Sequence, residues 1–407
     1  MKPRKGERSM TSLYETLKAS KIGAGAAPDM FTALRAQSLK PAYINSWSDV
    51  RKIVRAGKAA ELLPLGTYYN VWGDDTSKAF ELVAYDKHFD PSLTAQGYTH
   101  SITLCERDLT DIAQFDAIEA WLYLEQELPA GTYRFKLPNY DAAYGGNKSY
   151  YFTFAAATPA GGQLVFTWNY QQMPSKMASY ASNTSTTTLN NVNLAEWTEG
   201  ESPDAVDLGI CKLAVSDPDS SYGKINHVHR ARYGSNNYYQ SGLRQFLNSQ
   251  GSANTWWQPT NIFDRPYTYR STAGKLTQFS PELRSVMATP EIEYITNNVF
   301  EIGNIGSTPF ALQTPYKIND EKIFLLSHTE VNLSSVPNIG EVLDKYVGAG
   351  NSDRIKYRTS NGQAAVWWLR PPYPSTAFNE RTVHSSGALY YVTANYTYGV
   401  AAACIIQ

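Results

Sequence analysis

Two histidines stand close enough in the sequence to serve as metal ligands. His227 and His229 are separated by one residue in INHVHRARYG, so on a β-strand both side chains would project from the same face. A zinc-type site needs a third and usually a fourth ligand, and no nearby HxxE pair or Asp-rich segment supplies them. His328 and His384 are isolated. We therefore predict hydrogen-bonded structural histidines, with metal binding as the alternative for the first pair.

The sequence contains no pattern of a known catalytic machinery. It has no GxSxG nucleophile elbow, no GxxxxGK[ST] loop and no HExxH helix. The carboxylate pairs Asp74/Asp75 and Glu291/Glu293 sit in ordinary polar contexts, which are more typical of solvated faces than of acid/base dyads. We predict no catalytic residue, no cofactor, no metal and no enzymatic activity.

Three arginines lie among aromatic residues: Arg244 in GLRQFLNS, Arg265 in FDRP and Arg370 in WWLRPP. A guanidinium is tolerated in such a place when it stacks on a ring and has a charged partner. Asp264 is the nearest candidate partner for Arg265. We interpret the three arginines as structural anchors of a loop-rich fold, with ligand binding as the alternative.

The segment GALYYVTANYTYGVAAACII, residues 387–406, has the most distinctive composition. Four tyrosines, one asparagine and two threonines fall between Tyr390 and Tyr398, and an apolar run follows at once. Tyrosine brings large, rigid, amphipathic contact area, and Asn and Thr add adaptable hydrogen bonds, as in antibody paratopes. We predict a contact surface from Ala388 to Tyr398 and a buried strand from Gly399 to Ile406 beneath it. The alternative is a Tyr-rich, half-buried strand pair without a binding role.

Composition limits the class of protein. The chain has 407 residues, a net charge of −1 and 18% charged residues, which argues against a dedicated nucleic-acid binder or a membrane-surface protein. Cys105, Cys211 and Cys404 form neither a CxxC pair nor an even disulfide framework, so we expect small buried hydrophobes. No signal peptide or membrane span is recognisable, so we expect synthesis in a cytoplasm.

The secondary-structure patterns of the chain predict an α+β fold in three parts. Residues 1–44 read as an N-terminal docking arm with two short amphipathic helical pieces, with a flexible leader as the alternative. Residues 45–205 read as a β-rich attachment domain. Residues 206–407 form the second domain, and the Ser/Thr/Asn-rich stretch 172–205 marks the boundary.

Several individual elements have clear patterns. Helices are predicted near Ser48, from Phe115 in FDAIEAWLYLEQELP, and in YYQSGLRQFLNSQ. The two alternating runs of residues 149–170, joined by a Pro-Gly-Gly turn, predict a β-hairpin. In TWWQP and VWWLRPP, adjacent tryptophans on a strand point to opposite faces, so one of each pair is predicted in the core and the other half-exposed.

An ordered series of segments resembles one known family. The segments are HVHRARYGSNNYYQSGLRQFLNS, WW, FDRP, FSPELRSVM, KIFLLSHTEV, AAVWWLRPP and the closing GV…ACII. From about Ile210 to Gln407 they resemble C-type-lectin-fold domains of gut bacteriophages and their bacterial hosts. The N-terminal half resembles, more loosely, the partner region that precedes such domains in phage virion proteins. Pro371, Ala402 and His328 depart from the family pattern, in which serine, proline and arginine respectively are usual.

The resemblance includes variable proteins of diversity-generating retroelements, in which adenine-directed mutagenesis rewrites the last few dozen residues. Replacing the adenines of an AAC or AAT codon cannot yield Lys, Glu, Gln, Met or Trp. None of these five occurs in residues 381–406, whereas Trp367, Trp368 and Glu380 stand just before that segment. A β-hairpin that ends in a buried strand would show a similar bias.

The resemblance and the composition together predict a set of variable, ligand-binding positions. The leading positions are Tyr390, Tyr391, Thr393, Asn395, Tyr396, Thr397 and Tyr398. A second cluster comprises Ser375, Thr376, Phe378 and Asn379. The Glu-Pro-Asn, Gln-Pro-Asp and Trp-Asn-Asp signatures of calcium-dependent lectins are absent, so no calcium ligands are assigned. The oxygenase branch of the fold uses a cysteine pair, and Cys404 has no neighbouring cysteine.

From the resemblance we expect a phage virion surface protein, a tail or capsid adhesin with a C-type-lectin-like domain at residues 206–407. Its partners would be a bacterial cell-surface receptor, protein or glycan, and other virion proteins contacted through the N-terminal region. A homo-oligomer is expected, with a trimer by analogy, and neither nucleic-acid binding nor membrane insertion. The alternative is a structural or decoration protein whose lectin-like domain binds no specific ligand.

Overall fold

The computed structural model describes residues 44, 46–70, 79–117, 122–123, 128–136, 149–154, 163–168, 174–181, 186–193, 195–197, 206–210, 234–260, 266–295, 315–335, 338–373 and 378–407. These residues form many strands and few helices, so the predicted β-rich α+β class is confirmed. The docking arm, except Ile44, lies outside the described residues. The same holds for several singled-out residues: Asp74, Asp75, Cys211, His227, His229, Asp264, Arg265, Ser375 and Thr376.

Serine N-caps begin three of the helices. The helices are α1 (Trp47–Arg55), α2 (Ala59–Leu62), α3 (Pro91–Ala95), α4 (Gly242–Asn248) and α5 (Pro281–Val286). Ser46, Ser241 and Ser280 each accept a hydrogen bond at Oγ from a backbone N–H three residues later, which satisfies an otherwise orphaned donor. The helices predicted near Ser48 and in GLRQFLN are confirmed as α1 and α4.

A six-stranded sheet joins distant parts of the chain. Its strands are β1 (Tyr68–Asn70), β2 (Ala79–Tyr85), β3 (Ile102–Glu106), β13 (Met287–Ala288), β16 (Phe324–Leu325) and β23 (Ala402–Ile406). The order is β1-β2-β3-β23-β13, and β16 also pairs with β23. Every residue of β3 and β23 is buried. The pair therefore lies in the core, as strands with both faces covered do.

A five-stranded sheet carries the predicted contact surface. It contains β4 (Asp111–Gln114), β19 (Trp367–Pro372), β20 (Asn379–Val383), β21 (Leu389–Thr393) and β22 (Thr397–Val400), in the order β21-β20-β19-β22-β4. Strands β1 to β4 come from the N-terminal side of the predicted boundary near residue 205. Both sheets therefore contain strands from the two sides of that boundary.

The segment between β4 and α4 forms further sheets. Its strands are β5 (Leu122–Tyr123), β6 (Gly131–Lys136), β7 (Ser149–Phe154), β8 (Gln163–Trp168), β9 (Pro174–Ala181), β10 (Thr186–Asn193), β11 (Ala195–Trp197) and β12 (Val206–Ile210). They make two four-stranded sheets, β10-β9-β8-β5 and β11-β7-β6-β12.

Two two-stranded ladders lie later in the chain. One joins β14 (Ile292–Tyr294) to β15 (Tyr316–Ile318), and the other joins β17 (Lys356–Tyr357) to β18 (Ala364–Ala365).

Two local predictions on this segment are wrong. The alternating runs of residues 149–170 are strands, but β7 pairs with β6 and β11 while β8 pairs with β9 and β5, so they form no hairpin. The helix predicted from Phe115 is interrupted by strand, because Leu122 and Tyr123 pair with β8. Phe115 itself is buried against Tyr238 and Trp368. Tertiary pairing has overridden the local pattern in both places.

Two predictions near the contact surface also need correction. Trp367 and Trp368 are both fully buried, because β19 is covered on both faces and each indole N–H donates to a backbone carbonyl, of Arg354 and Ala113 respectively. The expected division holds only for Trp256, half-buried, and Trp257, buried. The apolar run 399–406 is buried as predicted, but it forms two strands in different sheets, with Ala401 between β22 and β23.

Two of the predicted arginine anchors are structural. The Arg370 guanidinium is 1% exposed and pairs with Glu330, with Nη1 2.8 Å from Oε2 and Nη2 2.5 Å from Oε1. The Glu330 carboxylate also contacts His88 Nε2 at 3.1 Å. Arg244 pairs with Glu321 and stacks over the Tyr239 ring at 4.5 Å. Each charge is thus compensated inside the fold, as buried ions require.

The turn between β20 and β21 requires glycine. Gly387 has φ +82°, and a Cβ at this position would overlap the carbonyl oxygen of Asn351. Gly362 has φ +66° with open space around it. We expect Gly362→Ala to cost about 1–2 kcal/mol of unfolding free energy from backbone strain alone. Gly387→Ala should cost at least about 1 kcal/mol more, because a backbone clash is added.

Urea denaturation of both glycine variants would measure this difference. Equal losses in the two variants would contradict the close approach of Asn351 to the turn.

Candidate ligand-binding surface

The candidate surface is built on the last strands of the five-stranded sheet. Strand β20 lies between β19 and β21, and its antiparallel register with β21 runs from Asn379↔Thr393 to Val383↔Leu389. Strand β22 pairs in parallel with β19 and antiparallel with β4, with Tyr398 opposite Ala113. Strand β22 is therefore held by ladders on both sides, and β21 is held by its ladder with β20.

Three tyrosines on β21 and on the turn between β21 and β22 project into solvent. Tyr390, Tyr391 and Tyr396 are 49%, 44% and 55% exposed, whereas Val392 and Ala394 between them are buried. Exposed aromatic side chains that stand on a buried framework are a common feature of recognition surfaces.

The exposed rings contact two residues that the sequence did not single out as ligand-binding, Tyr373 and His384. Tyr391 stacks on Tyr373 with ring centroids 3.9 Å apart and on Tyr390 at 5.6 Å. His384 meets the Tyr390 ring edge-on at 5.4 Å. The Arg381 guanidinium lies 5.9 Å from the Tyr373 ring centroid. The only sequence signal for the contact between Tyr373 and Tyr391 is that Tyr373, in RPPYPST, stands beside the predicted second cluster.

A second ring group lies on β22 and the turn before it. Tyr396 meets Tyr398 edge-on at 6.0 Å, and Tyr398 packs on the buried Trp368 at 5.5 Å. Partial burial raises the pKa of the Tyr398 hydroxyl, and Tyr396 and Tyr390 add smaller effects in the same direction. We call Tyr373, Tyr390, Tyr391, Tyr396 and Tyr398 together the tyrosine surface.

Two other leading positions serve the turn between β21 and β22. Thr393 Oγ1 donates to Asn395 Oδ1 at 2.8 Å, and the Thr393 carbonyl accepts from Tyr396 N at 3.0 Å. Gln114 Nε2 donates to the Asn395 carbonyl at 2.8 Å. Thr393 and Asn395 are half-buried, whereas Thr397 is exposed. The structure therefore brings the leading positions together but assigns Thr393 and Asn395 a role in shaping the turn.

The described part of the second cluster supports the same turn. Phe378 and Asn379 are half-buried. The Phe378 carbonyl accepts from Ala394 N at 2.9 Å, and the Asn379 carbonyl accepts from Tyr373 N at 3.0 Å and from Asn236 Nδ2 at 2.6 Å. These contacts use backbone carbonyls, so they do not depend on which side chains occupy the two positions.

A buried carboxyl group lies on the strand beneath the tyrosine surface. Glu380 is fully buried, and its Oε1 accepts only the N–H of Arg381 at 3.1 Å. No described residue hydrogen-bonds to Oε2. Burial raises the pKa of the Glu380 carboxyl well above its ordinary value, more than the Arg381 N–H and guanidinium lower it. This carboxyl is therefore held in its neutral form more readily than an exposed glutamate.

The buried histidine near these residues is structural, as predicted. His328 is fully buried, and its Nε2 lies 3.2 Å from the Ser335 carbonyl. Burial, with Arg381 and Arg370, lowers the pKa of His328 to about 4. The ring is neutral at pH 7. His328 therefore adds no charge beneath the tyrosine surface.

Comparisons with known proteins add a family without an assigned role. A family model described as a domain of unknown function (DUF6273) matches residues 211–407. No curated protein and no solved structure matches the chain. In the described ranges, no helix is both long and apolar enough to span a membrane, and no three His, Cys, Asp or Glu side chains are grouped to hold a metal ion.

The Glu380 carboxyl should make stability depend on pH. Its pKa in the folded state lies above the ordinary value of 4.5, so as pH rises past 4.5 the unfolded chain releases this proton first. The native state consequently loses stability between pH 4.5 and the folded pKa. We expect Glu380→Gln to gain in unfolding free energy relative to the parent as pH is raised from about 4.5 to about 7.5.

Urea titrations at the two pH values would test this prediction. Glu341→Gln is the control, because Glu341 is an exposed carboxylate whose removal should change little. A difference between Glu380→Gln and the parent that stays constant across this pH range would contradict a raised pKa at Glu380.

Proposed function

We propose that this protein is an adhesin that binds a receptor on a bacterial cell through the tyrosine surface. The exposure of Tyr390 and Tyr391 on β21 and of Tyr396 in the turn before β22 carries this proposal. A single exposed aromatic side chain is ordinary, but three within one short segment are informative. Rigid presentation keeps the entropic cost of binding low, since the backbone is ordered before the receptor arrives.

Tyrosine suits this role chemically. Its ring offers apolar area with few rotatable bonds, and its hydroxyl can donate or accept a hydrogen bond. The half-exposed His384 and the exposed Thr397 add polar groups at the margin of the surface. Such a surface fits either a protein or a glycan, because aromatic rings stack on sugar faces as well as on apolar side chains.

The wider setting follows from the sequence resemblance. We place the protein on a phage virion, in the tail or capsid, with residues 206–407 as a C-type-lectin-like domain. The N-terminal region would contact other virion proteins, and the assembly would be a homo-oligomer, with a trimer as the analogy.

Retroelement diversification of the tyrosine surface is part of the same proposal. Tyr390, Tyr391, Tyr396 and Thr397 are exposed, so side chains there could change without loss of core packing. Val392 and Ala394, on the same strand and turn, are buried. At Gly399 a Cβ would overlap the Leu109 side chain. Positions that tolerate substitution and positions that do not are thus interleaved within one short segment. A variable display surface needs this arrangement.

Cell binding by the full-length chain would test the adhesin proposal. We expect the protein to bind fixed cells of at least one isolate in a panel of gut bacteria. The triple variant Tyr390→Ala/Tyr391→Ala/Tyr396→Ala should bind at least about tenfold more weakly, because aromatic anchors dominate interface energies. The control is Tyr239→Ala/Tyr316→Ala, which removes two tyrosines of similar exposure, 45% and 51%, on other elements.

Circular dichroism and thermal unfolding would establish that both variants are folded. Binding that survives the triple change but falls in the control would move the receptor site to Tyr239 and Tyr316. Absence of cell binding across the panel would favour the decoration-protein alternative.

The gene would test diversification directly. We expect adenine-rich AAC or AAT codons, or their adenine-substituted products, at Tyr390, Tyr391, Tyr396 and Thr397 in sister genomes, and a near-identical copy of the 3′ end beside a reverse-transcriptase gene. Codons for Val392 and Ala394 should vary little. Invariant tyrosine codons among sister phages, without such a copy, would contradict diversification while leaving the adhesin proposal standing.

A further inference from the structure

A polar cavity lies between residues of the N-terminal strands and residues 345–357. Its volume is about 210 Å³, and its lining includes Tyr68, Glu81, Arg107, Lys345, Lys356 and Tyr357. Ligand pockets for drug-sized molecules are typically about 300–1,000 Å³, so an occupant of this cavity would be a smaller molecule. No residue of the tyrosine surface lines it.

The charges that line the cavity are unequally compensated. Arg107 pairs with Asp108 at 2.7 Å, and Lys345 pairs with Glu81. Lys356 is 3% exposed, and its Nζ donates to the backbone carbonyls of Glu106 and Arg107. In the part of the chain that the structure describes, no carboxylate forms a salt bridge with Lys356. Its charge is therefore solvated by carbonyl dipoles without a counter-ion.

Among the described residues that line the cavity, three are cations and three are carboxylates, and Lys356 is the one cation without a carboxylate partner. Lys345 is paired with the buried carboxylate of Glu81, whereas Lys356 has no such pair. Burial lowers the pKa of Lys345, Glu81 raises it, and the nearby Lys356 lowers it further. Burying an ammonium without an opposite charge is costly, so an anion in this cavity would relieve both lysines.

The remaining walls limit which anion fits. Tyr68 and Tyr357 supply aromatic surface, and the pair Arg107–Asp108 is already neutral. Asp353, which also lines the cavity, is exposed and negative. A second negative charge on the occupant would face these carboxylates, so a singly charged anion with an apolar body is favoured over a dianion.

We propose that this cavity binds a small monocarboxylate, with its carboxylate against Lys356 and Lys345 and its apolar part beside Tyr68 and Tyr357. The site is separate from the proposed receptor surface and does not depend on it. Its occupant would contact both β1 and the 345–357 segment, because Tyr68 comes from the former and the two lysines and Tyr357 from the latter.

Calorimetric titration of the full-length chain with benzoate would test the proposal, with benzamide as the uncharged analogue and inorganic phosphate as the dianion. We expect one benzoate per chain and binding of benzamide at least about tenfold weaker, since hydrogen bonds between ionised groups are stronger than those of a neutral amide. Lys356→Met should weaken benzoate binding at least about tenfold for the same reason.

A second pair of variants keeps the test decisive if Lys356→Met does not fold. Ser352 lines the cavity and is exposed, so Ser352→Trp should obstruct it without disturbing the core. Ser252→Trp changes an exposed serine that does not line the cavity and should leave binding unchanged. A benzoate Kd above about 10 mM for the folded parent would overturn the proposal. Benzoate binding that Ser352→Trp leaves intact, or tighter binding of phosphate than of benzoate, would also overturn it.

Discussion

The central position of strand β23 is the constraint on which the rest of the structure depends. It pairs with β3, β13 and β16, and all five of its residues are buried. Ala401 alone separates it from β22, which belongs to the other large sheet. The two sheets are therefore coupled through one buried residue. Because β22 also carries Tyr398, the tyrosine surface inherits its position from strands that come from the N-terminal part of the chain.

Buried ions give this arrangement its register. Lys275 is fully buried, and its Nζ lies 2.5 Å from both Glu106 and Asp111, at the ends of β3 and β4. Glu106 Oε2 also accepts the N–H of Ala402, the first residue of β23. Burial would raise the pKa of Asp111, but Lys275, Tyr269 and Gln278 together hold it below its ordinary value. Such networks add little net stability, but they penalise any shift that would leave one of the charges unpaired.

The sequence predicts local features of this fold better than its long-range pairing. Buried Leu243, Phe246 and Leu247 follow from helical spacing alone, and free, buried Cys105 and Cys404 follow from their apolar context. The alternation of polar and apolar residues within 149–170 predicts strands but does not indicate which strands they pair with, so the predicted hairpin was wrong. Nothing local to β4 indicates that it pairs with β22 about 285 residues later, and the division near residue 205 did not anticipate it. For the same reason the sequence indicated the exposed tyrosines but not Tyr373. Its stacking on Tyr391 depends on the pairing of β20 with both β19 and β21.

The edge strand β21 carries a physical cost that the proposed binding role would explain. Among the strands that the structure describes, β21 pairs only with β20, so no described strand covers its outer backbone edge. Proteins usually protect such an edge with lysine, proline or a bulge, yet LYYVT contains none of these and its register with β20 is unbroken. The stacked rings of Tyr390 and Tyr391 make the strand more adhesive still. An edge of this kind is a liability for a protein with no partner, whereas under the proposed receptor-binding role the same backbone and aromatic area would be the means of attachment.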